Sequence, residues 1–68
     1  MTPEEIQEAK ILNKPKSEIY NMFMDYCRDK EIGIYSKDVF PEILKLFPKD
    51  QDPELYRYCI WMFENQID

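Results

Sequence analysis

The stretch PELYRYCIWMFENQI, residues 53–67, decides how the fold is interpreted. Asp52 is a favourable N-cap, Pro53 suits the first helical position, and Glu54 suits the positive end of the helix dipole. At about 100° per residue, apolar and aromatic side chains cover roughly 260° of the circumference of such a helix. An ordinary surface helix needs an apolar stripe only somewhat wider than about 100°. We therefore predict that this helix is the most buried helix of a bundle, or that it buries part of its surface in another molecule.

Helical spacing divides this segment into a core side and two margins. The residues expected in the core are Leu55, Cys59, Met62 and Phe63. Tyr56 and Ile60 lie on one margin, and Tyr58 and Trp61 lie on the other. Tyr and Trp are enriched in interface hot spots because each joins a polar group to a large apolar body. The candidate partner-binding residues are Tyr56, Arg57, Tyr58, Ile60, Trp61 and Glu64.

Three further helices are predicted before this one. Thr2, Pro3 and Glu5 form a capping-box signature for a first helix that runs to about Leu12. A second helix is expected over residues 16–30, and Gly33 is expected to stop it in a left-handed conformation. Its predicted buried face contains Ile19, Met22, Phe23, Tyr26 and Cys27.

The third helix is expected over residues 37–47 and ends at Pro48. Pro41 is tolerated only within the first turn, which favours Asp38 over Ser36 as the cap. The predicted apolar stripe contains Phe40, Ile43, Leu44 and Phe47, with Val39 and Leu46 at its margins. The sequence therefore predicts an all-α fold, a compact bundle of four short helices in one domain over residues 1–68. Residues 1–15 are expected to form a peripheral N-terminal helix and linker.

The two cysteines, Cys27 and Cys59, fall inside amphipathic helices and not at positions typical of a disulfide framework. Residues 1–11 are polar and lack the apolar stretch of a signal peptide, so we expect a cytoplasmic protein with two reduced, buried thiols. A disulfide between the two helices is the alternative. No apolar run approaches the length of a membrane span. Two cysteines without histidine are too few for a structural zinc site, so neither metal nor other cofactor is expected.

The residues needed for catalysis are also scarce. The chain contains no histidine, and both Ser17 and Ser36 are better explained as helix caps than as nucleophiles. Its single glycine, Gly33, excludes a glycine-rich phosphate loop. We therefore predict that the protein is not an enzyme.

The middle of the chain has the outline of two helix-loop-helix motifs. In an EF-hand with Gly33 at the sixth loop position, Arg28, Lys30 and Ile32 would replace oxygen ligands, so no calcium site is expected. In a helix-turn-helix, the third helix would offer lysines but no Arg, Asn or Gln to a DNA groove. The basic residues available to that alternative are Lys14, Lys16, Lys37, Lys45 and Lys49.

The charge distribution favours a protein partner over nucleic acid. The net charge is −5, and residues 50–68 carry five acidic residues against Arg57 alone. Phosphate would be repelled by this end of the chain, whereas a basic protein surface would be attracted to it. We expect a small acidic regulator, adaptor or inhibitor of another protein, with a nucleic-acid-acting protein as one target class. The partner is either such a protein or, by self-association, a second copy of this chain. The alternative function is a small DNA-binding transcription regulator, and a third is a structural subunit of a larger complex. The composition, rich in Lys, Ile and Tyr and poor in Gly and Ala, suggests an AT-rich coding source, which fits a phage or mobile-element gene.

Overall fold

The computed structural model describes residues 2–33 and 36–66. It contains four helices, α1 (Pro3–Ile11), α2 (Lys16–Asp29), α3 (Val39–Leu46) and α4 (Pro53–Gln66), and no strand within the described ranges. Helix α1 packs against α2 and α3, and α4 packs against the same two helices. The predicted all-α bundle of four short helices is confirmed. Residues 67 and 68 lie outside the described part of the chain, and no helix within that part is long and apolar enough to cross a membrane.

The start and end of α1 follow from local hydrogen bonds. The Glu5 N–H donates to the Thr2 hydroxyl and the Thr2 N–H donates to the Glu5 carboxylate, which confirms the predicted capping box. At the other end, Asn13 adopts a left-handed φ of 56°. The Lys14 N–H then donates to the Ala9 carbonyl and the Asn13 N–H to the Lys10 carbonyl, each at 3.1 Å. These two bonds form a Schellman motif that ends the helix.

Helix α2 ends in the same way, but its left-handed residue lies two positions before the predicted Gly33. Glu31, not Gly33, takes the left-handed conformation, with φ of 60°. The Ile32 N–H donates to the Cys27 carbonyl at 2.9 Å, and the Glu31 N–H donates to the Arg28 carbonyl at 3.0 Å. The prediction for Gly33 was wrong because this earlier turn lets Ile32 pack against the core. Ser17 is also not a cap, since it lies inside α2 and the N-cap position belongs to Pro15.

At the start of α3, Asp38 occupies the N-cap position, but the side-chain hydrogen bonds are made by Ser36. Asp38 precedes the helix but its side chain makes no capping hydrogen bond. The hydroxyl of Ser36 instead accepts from the Asp38 N–H at 3.3 Å and donates to the Gly33 carbonyl at 2.8 Å. Pro41 is the third helical residue, within the first turn as required.

The buried face of α3 is rotated from the predicted stripe. Leu44, expected in the core, is 50% exposed. Val39 and Leu46, expected at the margins, are fully buried together with Ile43 and Phe47. Both sets follow helical spacing, and the packing of α3 against α1 and α4 selects the second. Phe47, the residue directly after α3, also packs edge-on against Phe23 of α2, with ring centroids 5.3 Å apart.

Helix α2, not α4, is the most buried helix. Six of the fourteen residues of α2 are buried, whereas the buried residues among those described in α4 are Cys59 and Phe63. Leu55 and Met62, also expected in the core, are half-buried against it. Helix α4 packs through one side, where Phe63 meets Phe40 with ring centroids 4.7 Å apart. The prediction of a maximally buried α4 was wrong because much of its apolar circumference lies away from α2 and α3.

Candidate protein-interaction face on helix α4

Trp61 is 57% exposed on the outer side of α4. At about 100° per residue, Trp61 lies about 160° around the helix from both Cys59 and Phe63, the two buried residues of α4. It therefore points almost directly away from the core. We call the outer surface formed by Glu54, Arg57, Trp61 and Glu64 the Trp61 face.

Charged side chains surround Trp61 on this face. Arg57 lies one turn before it and Glu64 one turn after it, and both are exposed. Within the described residues, neither Arg57 nor Glu64 takes part in an ion pair. Glu54 is paired with Lys16 of α2 at 3.2 Å. The charges of the Trp61 face that remain unpaired are thus one cation and one anion, placed on opposite sides of an exposed Trp.

A groove of about 400 Å³ runs beside the indole. Its lining residues are Lys16, Glu54, Arg57, Tyr58 and Trp61. Tyr58 is half-buried and packs edge-on against Tyr20 of α2, with ring centroids 5.9 Å apart. Because this contact holds one edge of Tyr58 in place, the remainder of its ring forms a fixed apolar wall for the groove.

The six candidate residues fall on two separate sides of α4. Arg57, Tyr58, Trp61 and Glu64 lie on or beside the Trp61 face. Tyr56 and Ile60 lie about 140° and 100° around the helix from Trp61, and both are half-buried against the core. The ammonium of Lys49 lies 5.9 Å from the centre of the Tyr56 ring and covers part of it. A partner bound on the Trp61 face would not reach Tyr56.

Two residues of the groove, Lys16 and Glu54, were not among the predicted site residues. The sequence associates Glu54 with the helix dipole and the acidic end of the chain, and Lys16 with the beginning of α2 and the basic residues of the DNA-binding alternative. Their ion pair joins residues far apart in the sequence, so the helical periodicity of either segment does not predict it. Large apolar side chains are also exposed elsewhere in the described part of the chain. They are Ile11 on α1, Leu12 directly after α1, and Leu44 on α3.

The two thiols are unsuited to nucleophilic chemistry at neutral pH. Cys27 and Cys59 are fully buried and free. Burial raises the pKa of Cys27 to about 11, with a further contribution from Glu42, and burial raises the pKa of Cys59 to about 12. A thiol in this state is protonated and inert. Among the described residues, no three His, Cys, Asp or Glu side chains are grouped so as to hold a metal ion.

Comparisons of the chain with protein families, with curated proteins and with solved structures give no match. Its function is therefore inferred from its own residues.

Proposed function

We infer that this protein is a non-enzymatic interaction module that binds another protein chain through the Trp61 face, acting as a regulator, adaptor or inhibitor. The observation that carries this inference is the exposure of Trp61 at 57% on the side of α4 opposite the core. An indole in that position contributes little to the fold, yet covering it in a complex removes a large apolar surface from water. Trp is also the residue most enriched among interface hot spots.

The charge of the chain supports a protein partner over nucleic acid. Residues 50–68 hold five acids against Arg57, which would speed encounter with a basic protein surface. Two of these acids are already paired, Asp52 with Lys10 at 2.7 Å and Glu54 with Lys16 at 3.2 Å. Acidic charge on this part of the chain therefore speeds the approach of a basic surface, but the charges of the Trp61 face itself are balanced and do not select a basic partner.

The DNA-binding alternative has less support. Of the lysines available to it, Lys14 is paired with Glu18 at 3.4 Å and Lys16 with Glu54 at 3.2 Å. Each pair reduces the positive potential that phosphate binding needs. Helix α3 contains eight residues, so a recognition helix here would be short.

Affinity capture with a matched pair of variants tests the proposal. The tagged protein is used to isolate its partner from cells, and the partner is then titrated against purified wild type, Trp61→Ala and Ile11→Ala. Ile11 is the matched control because it is an apolar residue 78% exposed on a different helix. We expect Trp61→Ala to weaken binding by at least about 30-fold, a hot-spot magnitude, while Ile11→Ala binds as wild type. Binding lost in Ile11→Ala and retained in Trp61→Ala would place the interface elsewhere.

A further inference from the structure

We propose that the Trp61 face binds a second copy of this chain, with the two α4 helices antiparallel about a two-fold axis beside Trp61. This rests on the proposed function, because it names the occupant of the same face. A two-fold interface uses one surface patch twice, so the patch must be complementary to itself. The residues of the Trp61 face meet that requirement in both charge and position.

The charges are self-complementary in one orientation only. Arg57 lies before Trp61 and Glu64 after it, both exposed and neither ion-paired within the described residues. In an antiparallel pair, Arg57 of each copy can face Glu64 of the other, giving two equivalent ion pairs. In a parallel pair, Arg57 would face Arg57 and Glu64 would face Glu64. The charges therefore select the antiparallel arrangement.

The same register brings the two indoles together. If Arg57 faces Glu64 of the second copy, the two-fold axis passes midway between these positions, between residues 60 and 61. At about 1.5 Å of rise per residue, each Trp61 then lies within about 1 Å of the axis along the helix, and each charged residue lies about 5 Å from it. The residues of the face, 54, 57, 61 and 64, also follow the alternating three- and four-residue spacing of a helix-pairing seam. The dimer would have an aromatic centre flanked by ion pairs.

The balance of charge also favours a second copy over a strongly basic partner at this position. Lys16 already neutralises Glu54, so among the residues that the structure describes Arg57 and Glu64 leave the face without net charge. A basic surface would be attracted to Glu64 but repelled by Arg57 near the centre of the face. A second copy presents an opposite charge to Arg57 and to Glu64. Association would also cover exposed apolar surface in a domain of 68 residues, a size at which oligomerisation is a common source of stability.

Analytical ultracentrifugation of charge-reversal variants tests the proposal. Wild type should show a reversible monomer–dimer equilibrium between micromolar and millimolar concentration. Arg57→Glu and Glu64→Arg should each weaken the dimer by at least about tenfold, since each variant alone places two like-charge pairs across the axis. An equal mixture of the two variants should dimerise at least as tightly as wild type, because both cross-axis pairs are again of opposite charge. Arg28→Glu, a reversal of the same size on α2, should leave the dimer unchanged.

Other outcomes overturn the proposal. A wild-type monomer at every concentration would exclude the second copy, as would a dimer indifferent to both reversals or a mixture that fails to associate. Trp61→Ala separates this failure from failure of the proposed function. A monomeric wild type that captures a different protein in a Trp61-dependent manner would retain the interaction face and reject only its occupant. Circular dichroism of each variant verifies that the helices are intact.

Discussion

At the scale of single residues, two aromatic side chains on α4 have opposite surroundings although only Met62 separates them. Phe63 is 5% exposed and its ring packs edge-on against Phe40 at 4.7 Å. Trp61 is 57% exposed and faces away from the core. Two helical steps of about 100° are enough to move a side chain from the protein interior to the interaction face. The two residues therefore offer a direct separation of folding from binding.

Phe63→Ala should lower the free energy of unfolding by about 3–5 kcal/mol, because it leaves a cavity in the core. That loss is comparable with the whole stability of so small a domain, so the variant should be largely unfolded. Trp61→Ala should remain folded and lose about 1 kcal/mol or less, as expected for an exposed site. Thermal and urea melts followed by circular dichroism measure the stability of both variants. Equal destabilisation by the two changes would mean that Trp61 is part of the core.

At the scale of the helices, the bundle is joined by a few polar contacts between helix ends. The ammonium of Lys10 on α1 donates to the Leu46 carbonyl at 3.0 Å and to the Asp52 carboxylate at 2.7 Å. It thereby satisfies a carbonyl at the end of α3 and binds the residue that precedes α4. The ammonium also lies 5.5 Å from the centre of the Phe47 ring. One side chain thus connects three of the four helices.

Lys10→Met should lower the free energy of unfolding by about 1–3 kcal/mol, because it removes charge-assisted bonds and leaves the Leu46 carbonyl without this donor. Methionine retains an unbranched apolar side chain, so packing changes little. Lys14→Met is the matched control, since the exposed Lys14–Glu18 pair at 3.4 Å contributes about 0.5 kcal/mol or less. Urea titrations of the two variants should differ clearly in midpoint. Similar midpoints would show that the Lys10 contacts add no more than a surface ion pair.

Glu31→Gly should raise the free energy of unfolding by about 0.5–1 kcal/mol. Glu31 holds a left-handed φ of 60° after α2, a conformation that strains a residue with a Cβ and suits glycine. The gain is limited because glycine also loses more backbone entropy on folding. Glu4→Gly, inside the first turn of α1, is the control and should be destabilising. A loss of stability in Glu31→Gly would contradict the assigned helix end.

At the scale of the whole molecule, the shared core holds two thiols in the protonated state. Cys27 on α2 and Cys59 on α4 are both fully buried, and their pKa values rise from 9.0 to about 11 and about 12. Desolvation is the main cause for each thiol, because burial penalises the charged thiolate. The packing of α4 on α2 is thereby coupled to pH at the alkaline end of the scale.

The free energy of unfolding should fall as the pH rises above about 9. Below that value both thiols are protonated in the folded and unfolded chains, and the full stability is present. Above about pH 9 the thiols of the unfolded chain lose their protons first, which favours unfolding. This effect ends once the pH exceeds the pKa values of the two thiols in the folded chain, about 11 and about 12. Urea melts across this range should give a shallower decline for Cys27→Ala/Cys59→Ala than for wild type. Parallel declines would show that the thiols are not the titrating groups.

The protein should not bind duplex DNA in the micromolar range at physiological salt. Its net charge is −5, and two of the lysines that a basic patch would use are paired with acids. Fluorescence anisotropy with a labelled duplex measures this, and Lys45→Glu supplies the control on α3. Micromolar binding that weakens steeply with salt and is lost in Lys45→Glu would support the helix-turn-helix alternative.

The sequence by itself determined the four helices, the capping box at Thr2, the position of Pro41 in a first turn, and the burial of both cysteines. These features depend on local hydrogen bonding and on periodicity within one segment, so neighbouring residues are sufficient to specify them. Only the tertiary structure decided which side of each apolar helix is covered. Leu44 and Trp61 are exposed because α3 and α4 pack through other sides, and the Lys16–Glu54 pair exists because two distant helix starts meet. Helical spacing leaves such choices open, since two or more faces of α3 and α4 are apolar enough to be buried, and the contacts between helices select one.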